Sequence, residues 1–136
     1  MPRLGEAIPA LPVVDVEKAV EFYRERLGFE GEVHAEDFAI VRRDDAEVHL
    51  WSAGDEEWRR KLDPDRPVRS GAESFLAGTA SCRIRVSGVD DLFEEYRQQG
   101  VLHSVSTTVD EQPWGTREFP AVDLYRNLLT FFERVS

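Results

Sequence analysis

Two tryptophans in this sequence could bind a small molecule through their rings. Trp51 ends a row of alternating residues, Glu47, His49 and Trp51, that would share one face of a strand. Trp114 lies between a proline and a glycine, a pattern typical of a loop. Because an indole can stack on a flat ligand, both rings are candidate binding platforms. Each has an alternative role: Trp51 could pack under the chain that follows it, and Trp114 could anchor a contact between subunits.

Arg83 and Arg85 are candidate anion-binding residues. They alternate with apolar residues over Ser81–Val86, which predicts a strand whose arginines point away from the core. Guanidinium groups bind carboxylates and phosphates well, so two free arginines would favour an anionic ligand. The alternative is that they pair with acids on neighbouring strands, such as Glu47 or Glu118, and are neutralised there.

The sequence lacks the residue patterns of common catalysts. It contains three histidines and one cysteine, Cys82, with no nucleophile–base set, glycine-rich phosphate loop or helix-borne histidine pair. A single cysteine cannot form an internal disulfide, which favours a cytoplasmic location. No apolar run approaches the roughly 18 residues that span a bilayer. We therefore expect a cytoplasmic binding protein with no catalytic residues, no cofactor and no membrane partner.

The charge of the chain limits its partners. The formal net charge is −10 over 136 residues. Nucleic acid is not an expected partner, because phosphate binding needs a basic face. An acidic surface attracts a cationic ligand, or it simply keeps the protein soluble.

A repeated pattern indicates which elements position these residues. Four residues recur in the second half at one offset (89 − 16 = 73), and each recurrence lies in the same kind of amphipathic segment. The first set is Val16, Glu21, Tyr23 and Arg24, and the second is Val89, Glu94, Tyr96 and Arg97. A constant offset indicates a duplicated supersecondary unit. Two such copies are expected to enclose a cleft.

Each copy is predicted to be a βαβββ module within one α+β domain. The first module covers residues 4–53, the connector residues 54–79 and the second module residues 80–134. Three strands are expected after each helix: Glu30–Ala35, Phe38–Arg42 and Glu47–Ser52 in the first module, then Leu102–Val109, Glu118–Val122 and Leu128–Glu133 in the second. The opening strand is expected at Leu4–Val14, broken by Pro9 and Pro12, and a short helix is expected at Trp58–Leu62 in the connector.

Five segments of the chain resemble one known superfamily. Asp15–Phe29 resembles the first helix of the glyoxalase, bleomycin-resistance and extradiol-dioxygenase proteins, also called vicinal oxygen chelate proteins. Four further segments resemble its bleomycin-resistance branch: Asp37–Asp45, Ser81–Val86, Val89–Arg97, and Glu111–Gly115 followed by Arg117–Phe119. The last of these is the most specific. The chain departs from that branch at Asp123–Asn127, where Asp-Leu-Tyr-Arg-Asn replaces Asp-Pro-x-Gly-Asn.

The resemblance implies a homodimer that binds bleomycin-type glycopeptides stoichiometrically, often with the first strand exchanged between subunits. Pro9 and Pro12 would suit such an exchange hinge, or they could protect a sheet edge. The planar rings and cationic tail of these drugs suit aromatic platforms and an acidic surface. The candidate ligand-binding residues are Phe38, His49, Trp51, Arg83, Arg85, Trp114 and Phe119.

The resemblance also implies where a metal would bind if the chain were an enzyme. The ligand positions of the superfamily fall at Ile8, Ser81 and Thr130, with a fourth near His49. None of the first three has a side chain that zinc or a transition metal prefers. We therefore expect no metal site. Two alternatives stay open: a lyase or dioxygenase using His49 and ligands in another register, or a protein that senses a metabolite.

Overall fold

The computed structural model describes residues 1–53 and 78–135 of the chain, as two helices and eight strands. The elements in chain order are β1 (Ala10–Val13), α1 (Val16–Glu25), β2 (Glu30–Ala35), β3 (Phe38–Arg43), β4 (Ala46–Ser52), β5 (Ser81–Arg85), α2 (Val89–Gln99), β6 (Asp110–Gln112), β7 (Thr116–Val122) and β8 (Leu128–Arg134). Neither helix is long and apolar enough to cross a membrane.

The strands form two four-stranded sheets with the same topology. The orders are β1-β4-β3-β2 in sheet 1 and β5-β8-β7-β6 in sheet 2. In each sheet the first strand is parallel to the fourth, and the other neighbours are antiparallel. The predicted α+β fold of two βαβββ modules is therefore confirmed.

The two helices are capped by different means. Asp15 accepts a hydrogen bond from the backbone N–H of Lys18 at 3.0 Å, as a side-chain cap of α1. Gly88 stands at the equivalent position of α2 and has no side chain to offer. The Glu133 carboxylate of β8 replaces it, accepting from the N–H groups of Gly88 and Val89 at 3.0 and 3.3 Å. This cap ties α2 to its own sheet.

One face of each sheet packs against the helices, and we call the other face, on which the exposed side chains of β5 lie, the open face. Val48 and Leu50 of β4 are buried, whereas Glu47, His49 and Trp51 are half-buried on the open face. In β5, Ser81, Arg83 and Arg85 are exposed, and Cys82 and Ile84 pack against the core. The predicted alternation of both strands is confirmed, so strand period alone decides which side chains are available to a ligand.

Hydrogen bonds between the modules involve residues of helices, strands and turns. The buried Tyr23 hydroxyl donates to Asp123 Oδ2 at 2.9 Å, and the Tyr96 hydroxyl donates to the carbonyl of Leu27 at 2.6 Å. Arg43 donates to both carboxylate oxygens of Glu95, at 2.7 and 3.0 Å. These bonds cross between the modules on the helix side of the sheets, and none of them lies on the open faces.

Two predicted strands are shorter than expected. The first strand covers only Ala10–Val13 of the expected Leu4–Val14, and residues 1–9 lie outside the sheet. The expected strand Leu102–Val109 is reduced to one bridge between Leu102 and Ala121, because the chain turns back where Ser106 N–H donates to the carbonyl of His103 at 2.8 Å. The predicted helix Trp58–Leu62 lies outside the described residues.

Candidate functional site

Three aromatic rings lie together on the open face of sheet 1. Antiparallel pairing of β3 with β4 sets Phe38 opposite Trp51 and Ile40 opposite His49. The Phe38 ring lies 4.4 Å from that of Trp51 and 5.2 Å from that of His49, between centroids. We call Phe38, His49 and Trp51 the aromatic patch. Its half-buried rings form a surface on which a planar group could stack.

A carboxylate lies at one end of the aromatic patch. Glu47 accepts from His49 Nε2 at 2.8 Å and from Arg42 Nε at 2.7 Å. Both hydrogen bonds lower the pKa of Glu47 below its usual value, and the bond from His49 has the larger effect. Glu47 therefore stays ionised near neutral pH and contributes negative charge beside the rings.

Arginines surround an aromatic ring on the open face of sheet 2. The guanidinium of Arg83 lies 4.8 Å from the centroid of the Phe132 ring, and that of Arg134 lies 5.8 Å from it. Arg83 also donates to both oxygens of Glu118, at 3.2 and 2.7 Å. The alternative in which Arg83 is neutralised by Glu118 is thus the one observed. Arg85 forms no salt bridge within residues 1–53 and 78–135.

Trp114 lies at the tip of the hairpin that joins β6 to β7. The turn is closed by the N–H of Gly115, which donates to the carbonyl of Gln112 at 3.0 Å, and Gly115 has a φ of 88°. The Trp114 side chain is 63% exposed. Its ring is therefore accessible next to the open face of sheet 2.

Phe119 is not available to a ligand on either open face, which corrects the expectation from the sequence. It is 0% exposed, and its ring stacks on Phe131 at 5.6 Å and meets Phe93 edge-on at 5.4 Å. The reason is strand parity, because Glu118 points to the open face of β7 and its neighbour must point to the core.

A cavity of about 970 Å³ opens between the modules. Arg83, Arg85 and Glu47 line this cavity, whereas the three rings of the aromatic patch do not. Its wall combines apolar side chains with charged side chains of both modules. The larger apolar ones are Ile8, Phe29, Ile84, Val86, Leu92 and Phe131, and the charged ones are Glu6, Arg43, Asp44, Asp45, Glu47, Arg83, Arg85, Asp91, Glu95, Glu133 and Arg134. The cavity is large enough for part of a sizeable ligand.

Comparison with known proteins identifies the family. Residues 9–42 match the family model described as bleomycin resistance protein-like N-terminal. Over 130 residues, covering 96% of this chain and 97% of the relative, the sequence is 44% identical to a bleomycin resistance protein of Geobacillus stearothermophilus. The same values hold for a bleomycin resistance protein of Staphylococcus aureus. The chain belongs to the bleomycin resistance protein family.

A solved structure supports this assignment through the fold. The bleomycin-binding protein of the bleomycin producer Streptomyces verticillus, in complex with copper(II)-bleomycin, is similar with a TM-score of 0.72 and 29% sequence identity. The match covers 100% of this chain and 99% of that one. The structural similarity therefore covers both modules of the α+β fold.

The residues at the superfamily's metal-ligand positions are an isoleucine, a serine and a threonine. Ile8 is in the segment before β1, Ser81 is the first residue of β5, and Thr130 is on β8 beside Arg83. Within the part of the chain that the structure describes, no three His, Cys, Asp or Glu side chains are placed to share a metal ion.

Two residues of the sheet 2 face were missed by sequence reasoning. Phe131 and Phe132 are adjacent, so residue type alone does not show which of the two rings faces the core. In the structure Phe132 pairs with Arg85, and these two residues lie on the open face. Glu118 was considered only as a partner of Arg83, whereas it also accepts from Thr116 Oγ1 at 2.7 Å. Applying strand parity to β7 and β8 would have found both residues.

Proposed function

We propose that this protein is a non-enzymatic binding protein that sequesters a bleomycin-type glycopeptide or a related aromatic small molecule. The proposal is carried by one observation, the 44% identity to bleomycin resistance proteins over 96% of the chain. The copper(II)-bleomycin complex of the structural relative supports it, because that protein has the same fold at 29% identity. In this proposal the drug is held away from DNA and no bond is made or broken.

The chemistry of the two open faces supports such a ligand. The aromatic patch offers stacked rings for planar heterocycles, and Glu47 beside it carries negative charge. The net charge of −10 would attract a cationic tail over a longer range. Phe38, His49, Trp51, Arg83, Arg85 and Trp114 are the residues that we propose to contact the ligand.

We propose further that the ligand site is completed by a second copy of the chain. The aromatic patch and the sheet 2 face belong to different modules, and the hydrogen bonds that join the modules lie on the helix side of the sheets. A homodimer could set the open face of sheet 1 in one subunit against that of sheet 2 in the other. Its mass would be twice the 15.6 kDa of one chain, which light scattering would measure directly.

Protection of DNA from bleomycin distinguishes capture from catalysis. Plasmid cleavage by iron-activated bleomycin is measured while the protein is added in steps against a constant drug concentration. Capture predicts that cleavage stops once the binding sites equal the drug, and that the drug is recovered with unchanged mass. Protection by far fewer protein molecules than drug molecules, or a drug of altered mass, would favour the enzyme alternative. No protection at any ratio would refute the bleomycin assignment.

A variant of the aromatic patch tests the site. Trp51→Leu should weaken binding of metal-free bleomycin by about 2- to 10-fold, since an aromatic contact contributes roughly 0.5–1.5 kcal/mol. Val105→Ala is a matched control, because Val105 is also exposed and apolar but lies outside both sheets. Isothermal titration calorimetry would measure both affinities. Equal affinity of the two variants would show that Trp51 does not contribute to binding of the drug.

A further inference from the structure

The His49 imidazole on the open face of sheet 1 is held by a chain of two hydrogen bonds. His49 Nε2 lies 2.8 Å from Glu47 Oε2, and Arg42 Nε donates to Glu47 Oε1 at 2.7 Å. The pairing of β3 with β4 sets Arg42 directly opposite Glu47, and His49 is two residues farther along β4. All three side chains therefore lie on one face, where the carboxylate joins a permanent cation to the imidazole.

The carboxylate determines which nitrogen of His49 carries the proton. An ionised carboxylate only accepts hydrogen bonds, so the bond to Glu47 requires a proton on Nε2. In a neutral imidazole the other nitrogen, Nδ1, is then an acceptor. Within residues 1–53 and 78–135, no group donates to Nδ1 of His49. This acceptor is therefore not used by the described part of the chain.

The orientation of the rings shows how His49 would meet a ligand. The Phe38 and Trp51 rings are tilted by 35° at a centroid distance of 4.4 Å, whereas the His49 ring stands at 83° to that of Phe38. A planar group stacked on Phe38 would thus lie nearly perpendicular to the imidazole and could not stack on it. The His49 side chain is 26% exposed, so a ligand can reach part of it. Its unused nitrogen is the polar atom that it can offer.

We propose that Glu47 is a positioning residue that fixes the tautomer of His49, so that Nδ1 accepts a hydrogen bond from an N–H group of the bound ligand. The inference rests on the proposed function, because it assigns both residues a task within that ligand site. It also specifies the ligand, whose planar part should carry an N–H donor such as an amide or amino substituent. Glu47 acts through His49, since each of its oxygens already accepts a hydrogen bond within the protein.

Glu47→Gln should reverse the tautomer of His49. Arg42 can only donate, so the amide that replaces the carboxylate must turn its oxygen toward Arg42 and its NH₂ group toward His49. Nε2 of His49 must then accept, and the proton moves to Nδ1. In this variant Nδ1 is a donor and can no longer accept from an N–H group of the ligand.

Nitrogen NMR of the histidines measures the tautomer without a ligand. In protein labelled with ¹⁵N-histidine, long-range proton–nitrogen correlations distinguish the two neutral tautomers from each other and from the charged ring. The chain has three histidines, and the pattern lost in His49→Asn is that of His49. At about pH 8, above the ordinary range of histidine titration, we expect a proton on Nε2 alone in the parent protein and on Nδ1 alone in Glu47→Gln. A parent ring protonated on Nδ1 or on both nitrogens, or the same tautomer in both proteins, would overturn the proposal.

Glu32→Gln is the matched control for the loss of one negative charge. Glu32 lies on the same face of sheet 1, opposite Ile40, which pairs with His49 on its other side. The carboxylate of Glu32 is 3.7 Å from His34 Nε2, which is beyond hydrogen-bond distance. This variant should therefore leave the tautomer of His49 as it is in the parent protein.

Arg42→Met combined with Glu47→Gln tests why the tautomer reverses. Without the guanidinium, the amide oxygen is free to accept from His49 Nε2, so the tautomer of the parent protein should again predominate. Retention of the reversed tautomer in the combined variant would contradict the selection of the proton position by residues 42 and 47.

Isothermal titration calorimetry with metal-free bleomycin connects the tautomer to the ligand. Glu47→Gln should bind about 3- to 10-fold more weakly than Glu32→Gln, as expected for the loss of one hydrogen bond, and the combined variant should recover part of the affinity. Equal affinities of Glu47→Gln and Glu32→Gln would show that only charge matters at residue 47, and the ligand role of His49 would be wrong. If the parent protein binds no bleomycin, the proposed function fails together with that ligand role, whereas the NMR result still decides whether Glu47 fixes the tautomer.

Discussion

Tyr23→Phe tests how the two modules are held together. The Tyr23 hydroxyl is buried and donates to Asp123 Oδ2 at 2.9 Å. Asp123 is 2% exposed and also accepts from the N–H of Tyr125 at 2.9 Å and from the N–H and side-chain amide of Asn127 at 3.0 Å. Removing the hydroxyl leaves an acidic group, enclosed between the modules, without one of its four donors.

The expected loss of stability depends on the hydrogen-bond partners of Tyr23 and of Tyr96, its counterpart in the second module. A hydrogen bond to a charged group contributes roughly 1.5–3 kcal/mol, so Tyr23→Phe should lower the free energy of unfolding by about that amount. Tyr96→Phe is the matched control. The Leu27 carbonyl that accepts from Tyr96 also accepts from Arg43 Nη1 at 2.9 Å, so it stays satisfied. Its loss should be only about 0.5–1.5 kcal/mol.

Urea unfolding at several pH values would measure both losses. Burial raises the pKa of Asp123 above its usual value, against the effect of its donors. A raised carboxyl pKa in the folded state means that the folded protein loses stability as pH rises through that pKa and regains it on acidification. The extra loss in Tyr23→Phe should therefore shrink as Asp123 becomes protonated. Equal losses in the two variants, or a difference that grows in acid, would refute this account.

Two further predictions concern a turn and the thiol. Arg126 has a φ of 75°, so Arg126→Gly should raise the melting temperature by about 1–3 °C. Asp44 has a φ of 53°, and Asp44→Gly should raise the melting temperature less, because aspartate tolerates that region better than arginine. Scanning calorimetry would measure both changes, and an equal gain in the two variants would contradict this reasoning. Burial raises the pKa of Cys82 to about 12. The thiol of the folded protein should therefore resist Ellman's reagent at pH 8 until denaturant is added. Rapid reaction of the folded protein would contradict this prediction.

Strand period explains what could be predicted of the site from the sequence. The alternation of Ser81–Val86 correctly separated the exposed arginines from the core residues, because β5 is covered by a helix on one face only. Phe119 was misplaced because its position in a family motif was given more weight than parity. Glu118 and Phe119 are neighbours on a strand, so only one of them can face the ligand side.

The shortened strands depend on information that local sequence does not carry. Residues 102–109 contain two valines and two threonines, which favour a strand, but a strand also needs a partner edge in register. β7 pairs over three residues with β6, at Asp110–Gln112, after the chain has already turned at His103–Ser106. The altered turn at Asp123–Asn127 likewise forms without its glycine, because the Asp123 side chain accepts from the backbone of Asn127 and Arg126 adopts a positive φ.

The repeat also explains one contact that neither module could form alone. Arg26, which ends α1, donates from Nε to the carbonyl of Gln99 at 2.9 Å, and the two residues are 73 positions apart. That separation equals the offset of the duplication, so Arg26 binds the residue at its own equivalent position in the second module. The ends of α1 and α2 therefore lie close together, at equivalent positions of the two modules.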